Sequence, residues 1–146
     1  MSLRIAFAFS IASLVALLAV RGAGAEEPSR PLEVLENMDN QRIAVFPTLE
    51  EIRASPRWAP GEGPVPLGVD GAIERAALFE TTRAHATEVK VREVKLVPIN
   101  DPRAEDRWYY LARMEAVVDD APATHFVGVL MNGVAVPGIA DPDSVR

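Results

Sequence analysis

Histidines, serines and closely spaced carboxylates are the side chains from which this chain would have to build a reactive site, and they are sparse or poorly placed. His85 and His125 are the two histidines, and neither has a metal-ligating residue at i+2 or i+4. A zinc centre needs three or four such ligands, so each histidine is expected to be half-exposed and to donate to a backbone carbonyl. Beyond the first 25 residues the serines are Ser29, Ser55 and Ser144, all in turn or tail segments, and no G-x-S-x-G turn occurs. Serine nucleophile chemistry is not expected. Gly61-Glu62-Gly63 has neither the preceding strand nor the following helix of a phosphate cradle. The adjacent acids Glu105-Asp106 and Asp119-Asp120 fall in turns where solvated carboxylates are the rule, and Asp141-Pro142-Asp143 lacks a rigid calcium loop. There is no cysteine, hence no thiolate ligand, nucleophile or disulfide. These residues predict no catalytic centre, no metal and no cofactor.

The compartment is easier to read. Arg4 is followed by an apolar run from Ile5 to Val20, and Ala23-Gly24-Ala25 supplies the small residues of a cleavage site. The run is too short for a hydrocarbon core, which needs roughly 20 apolar residues. Residues 1–25 are expected to be a secretory signal peptide with the mature chain starting at Glu26, exported to the periplasm or secreted and free of the membrane after cleavage. Arg21, between the run and the cleavage site, is the one departure from that pattern.

Without its leader the chain keeps 121 of 146 residues, the size of one domain. Two of its 15 basic residues leave with the leader, so 13 face 21 acidic ones, a formal charge of −8. Phosphate binding needs a concentrated basic surface, and a nucleic-acid partner is excluded on that ground.

Eight of the 12 prolines precede residue 100 and divide the chain. Residues 26–68 read as an irregular strap with short helices. One helix is expected from Pro31 through Leu32, Val34, Leu35 and Met38, and a short strand over 42–46. Thr48-Leu49-Glu50-Glu51 has the form of a capping box and predicts a helix of one or two turns ended by Pro56. From Ala54 to Gly68 the prolines allow only extended or turning backbone, with Trp58 as the one large apolar anchor.

Residues 69–137 are regular. Asp70 is expected to cap a helix reaching Ala84, whose inward stripe is Ala72, Ile73, Ala76 and Phe79. Period-two alternation marks a strand over 87–99 that slips at Arg92-Glu93, as a β-bulge would cause. It also marks a strand over 107–118 and a third over 124–131. Asn132-Gly133 predicts a two-residue type I′ hairpin leading to a fourth strand, Val134-Ala135-Val136, stopped by Pro137-Gly138. Residues 138–146 read as a polar tail.

The expected fold class is α+β: one main helix on a four-stranded antiparallel meander, covering the face that bears Trp108 and Met114. Its order, carried by Asp70-Gly71-Ala72-Ile73-Glu74-Arg75-Ala76, Arg107-Trp108-Tyr109-Tyr110 and Val129-Leu130-Met131-Asn132-Gly133, resembles the helix-plus-sheet unit of cystatin-like and PepSY-like domains over residues 69–137. The Q-x-V-x-G loop of cystatin-like inhibitors is absent, so protease inhibition is not implied. The PepSY-like resemblance implies an exported accessory role.

The opposite sheet face carries Tyr109, Leu111, Arg113, Glu115 and Val117, too apolar to stand in open solvent. It is expected to be covered by the Trp58 strap, a second copy or another protein. Trp58, Tyr109, Leu111, Arg113 and Glu115 therefore form the candidate interaction surface. The sequence points first to an accessory or interaction module, next to a small-molecule binder using a concavity between strap and sheet, and last to an enzyme.

Overall fold

A computed structural model describes residues 33–140. The expected leader at 1–25, the start of the strap and the tail from Asp141 lie outside them. Six strands and two α-helices follow in the order β1 (Val34–Met38), β2 (Gln41–Val45), α1 (Leu49–Ala54), α2 (Val69–Arg83), β3 (Thr87–Pro98), β4 (Trp108–Val118), β5 (Ala121–Leu130) and β6 (Ala135–Ala140). All pair antiparallel in one sheet of order β1-β2-β6-β5-β4-β3. The α+β class stands, with six strands instead of four.

The added strands come from the segment expected to open with a helix. Val34, Leu35 and Met38 have helical spacing, but Asp39 and Asn40 both adopt left-handed backbone, φ 53° and 59°. Asp and Asn tolerate that conformation better than other side chains. Two consecutive left-handed residues between the paired Met38 and Gln41 make a tight hairpin that matches sheet twist. Asp119 and Asp120, φ 50° and 62°, join Val118 to Ala121 in the same way.

The Asn132-Gly133 turn differs from its expected form. Only Gly133 has positive φ, 85°, its amide donates to the Leu130 carbonyl at 2.8 Å, and Leu130 pairs with Val134. That is a three-residue loop with glycine in the bulge position. β6 also continues past Pro137-Gly138 to Ala140. β2 reaches β6 only from Gly138 onward, so Pro137 faces no β2 partner that needs its amide.

The expectations for α1 and β3 hold, and α2 forms as expected with Ala72 and Ala76 on its buried side. The capping box forms, with Glu51 N–H donating to Thr48 Oγ1 at 3.2 Å and Thr48 N–H donating to Glu51 Oε2 at 2.7 Å. β3 shifts register between Val91 and Glu93. α2, however, is capped by Gly68 without a side-chain bond, and Asp70 lies in its first turn, where a carboxylate complements the helix dipole.

The sheet curls so that its edges approach. Lys95 Nζ of β3 lies 2.7 Å from Glu36 Oε1 of β1. Inside the curl Val34, Met38, Ile43, Val45, Val97, Tyr109, Leu111, Phe126 and Val136 form one apolar core, joined by Ile52 of α1. Gly128 permits the inward packing, because a Cβ there would sit 2.7 Å from Val45 Cγ1. The outer face is covered by α2: Ala72 and Ala76 pack with Tyr110, Ala112, Met114, Val127 and Val129. Small residues at Ala72 and Ala76 bring the helix close to the sheet.

The strap lies on this helix face, beside α2, and so is not what covers the opposite face, for which it was one of three expected covers. Val65 and Leu67 pack on the outer core, Tyr110 Oη donates to the Leu67 carbonyl at 2.8 Å, and Trp58 meets Trp108 edge-on with ring centroids 6.0 Å apart. The inner face is covered by the curl of the sheet itself. Among the described residues no helix is long and apolar enough to cross a membrane.

Candidate functional site

The expected interaction residues do not form a common surface. Tyr109 and Leu111 point into the curled core, 2% and 0% exposed, and Trp58 is buried against Trp108. Arg113 is held by Asp39 at 3.4 Å and Glu93 at 3.7 Å, and Glu115 pairs with Arg92 at 2.6 Å. The alternation of β4 was read correctly, but its apolar inner face meets β1, β2 and β5 across the core, which removes it from any partner.

Burial shapes the chemistry of Tyr109. Its hydroxyl has no hydrogen-bond partner among the described residues, and burial, followed by the charge of Glu36, pushes its pKa well above the ordinary tyrosine value.

The structure instead brings together two residues far apart in sequence. Glu80 follows Ala72 and Ala76 at i+4 spacing, so it continues the buried stripe of α2. His125 shares the parity of Val127 and Val129, so β5 turns its ring toward the same helix. His125 Nδ1 lies 2.6 Å from Glu80 Oε2, and the Glu80 side chain is only 7% exposed. An ionised carboxylate can only accept, so Nδ1 carries the hydrogen and Nε2 is left for other partners. The expected backbone-carbonyl bond for His125 is replaced by this carboxylate bond.

His85 does not take part. It is exposed with φ 51° and turns the chain out of α2, after which the Ala86 amide reaches back to the Glu80 carbonyl at 3.5 Å.

The Glu80–His125 pair lines an open groove of about 600 Å³ between the end of α2 and strands β2, β5 and β6. Arg83 stands at its helix side, 5.4 Å from the Phe79 ring centre, and Pro137 and Ile139 form its strand side. Ile139 is 56% exposed. The groove combines one aliphatic wall, one guanidinium and one imidazole backed by a buried carboxylate. Among the described residues no group of three or more His, Asp or Glu side chains is arranged to hold a metal ion. The glutamate was the missed signal: it is a carboxylate on the inward stripe of an otherwise apolar helix face.

No family model, curated protein or solved structure matches this chain.

Proposed function

We propose that this chain is an exported accessory protein that acts by binding a small molecule in the groove at the end of α2. The observation that carries this reading is the Glu80–His125 pair. A carboxylate is expensive to bury unless paired, and this one is spent on orienting an imidazole at the wall of a cavity within the range of ligand sites, about 300–1,000 Å³. Export rests on the leader pattern of residues 1–25, and the accessory role on the PepSY-like order of elements.

A protein-docking face has less support. Among the described residues the most exposed large apolar side chains are Val69, Leu78 and Ile139. Val69 and Leu78 stand about 13 Å apart along the axis of α2, and Ile139 belongs to the groove. A second reading, acid–base catalysis, is favoured by the same pair, because an imidazole oriented by a carboxylate is a competent general base.

The test is thermal unfolding of the protein with a panel of metabolites, repeated on Ile139→Asp. Residue 139 is exposed, so folding is spared while the groove wall becomes charged. Compounds that raise the wild-type midpoint and lose that effect in the variant support the proposal. Equal stabilisation of both proteins refutes it, and turnover of a stabilising compound moves the assignment to catalysis.

A further inference from the structure

We propose that the groove selects a small organic acid, its carboxylate set against Arg83 and His125 and its apolar body along Pro137 and Ile139; this rests on the reading of the groove as a binding site. The charge available to a ligand is positive. Glu80 is buried behind the imidazole and its Oε2 is taken by Nδ1 at 2.6 Å. Arg83, by contrast, is exposed, and among the described residues no carboxylate comes within 4.0 Å of it, whereas Arg92, Arg103 and Arg113 each have one. Its nearest described partner is the Phe79 ring, which flanks the guanidinium and leaves its N–H edge unspent.

That edge has the geometry to hold a carboxylate through two parallel hydrogen bonds. The His125 Nδ1 is engaged by Glu80, so a third donor toward the ligand comes from Nε2 when the ring carries a hydrogen on both nitrogens. A cationic ligand would confront Arg83 directly and would find Glu80, the one carboxylate lining the groove among the described residues, shielded by the imidazole. The aliphatic side of the groove gives the rest of the ligand an apolar wall, with Ile139 more than half exposed.

Three probes of equal chain length and different head group test the assignment: hexanoate, hexylamine and hexanol, titrated into isotope-labelled protein and followed by NMR. Hexanoate alone is expected to shift the His125 ring and the Gly138 and Ala140 amides saturably. Arg83→Gln should weaken hexanoate by about tenfold or more, the loss of one charge-assisted contact, while Leu78→Ala, on the exposed side of α2, should bind as wild type. An equal response to hexylamine or hexanol, or unchanged hexanoate affinity in Arg83→Gln, overturns the organic-acid assignment and leaves groove binding standing. No saturable shift with any of the three overturns both.

Discussion

Replacing Trp58 by alanine should loosen the strap from the domain at a cost that the geometry fixes. The indole is 9% exposed, lies edge-on to Trp108 at 76°, and its N–H donates to the Gly63 carbonyl at 3.3 Å. Burying an indole removes about 150–250 Å² from water, and at about 25 cal/mol per Å² that amounts to about 4–6 kcal/mol. Alanine retains about 0.8 kcal/mol of it through one carbon, while losing the edge-to-face pair forfeits about 0.5–1.5 kcal/mol. The strap can settle partly into the vacated space, held by the Trp58 amide on the Asp106 carbonyl at 2.9 Å, a bond that alanine keeps. The net expectation is a loss of about 3–5 kcal/mol, as for other emptied aromatic sites. With a denaturant slope of about 1–3 kcal/mol per M, the urea midpoint should fall by roughly 2 M. Trp58→Phe should recover much of it, and a Trp58/Trp108 double-mutant cycle should show coupling of about 1 kcal/mol. A midpoint shift below about 0.3 M would mean that the indole carries no packing energy, and the intramolecular clasp would be wrong.

Three further outcomes follow from particular side chains. Tyr109→Phe removes a buried hydroxyl without a described partner and should stabilise the protein by about 1 kcal/mol in urea unfolding at neutral pH. Because the folded-state pKa of Tyr109 is raised, its contribution is full below the ordinary tyrosine value of about 10 and is lost as pH rises above it. The advantage of Tyr109→Phe should therefore widen at alkaline pH, and a constant difference would contradict it. Glu36 shows the opposite sign: burial works to raise its pKa, but the Lys95 ammonium and the Asn37 amide outweigh burial and hold the carboxyl below its usual range. The stability gap between wild type and Glu36→Gln should be present at pH 7 and shrink as pH falls below about 4.3, which acid titration of the urea midpoint measures. Asp119-Asp120→Asn-Gly puts the residues best suited to left-handed backbone where φ is 50° and 62°, and should raise stability by about 1 kcal/mol in thermal unfolding.

Local chemistry was legible where neighbours in sequence decide it. Thr48 and Glu51 cap α1 through bonds that span three residues, and the slip at Arg92-Glu93 marks a true register shift. β1 was hidden because Val34, Leu35 and Met38 have helical spacing, while only Val34 and Met38 share a strand face. What decides for the strand is the left-handed pair Asp39-Asn40, together with pairing to β2. Pro137 looked like a strand end because its missing amide matters only if a partner needs it, and that depends on how far β2 reaches. The fate of Tyr109 and Leu111 depended on sheet curl, which brings β1 and β3 together through Glu36 and Lys95 and encloses the inner face. Curl is set by contacts between distant strands, so alternation along β4 shows which residues share a face but not what covers it. The Glu80–His125 pair joins a helix and a strand 45 residues apart; half of it was written in the inward position of Glu80, and the other half needed the fold.

The measurement that bears most directly on the groove is NMR mapping of any ligand that stabilises the full protein. Saturable shifts centred on Thr124–Phe126, Gly138–Ala140 and the Arg83 side chain are the predicted result. Shifts centred on the Trp58 strap, or on the exposed side of α2 around Val69 and Leu78, with the His125 ring unmoved, would contradict it.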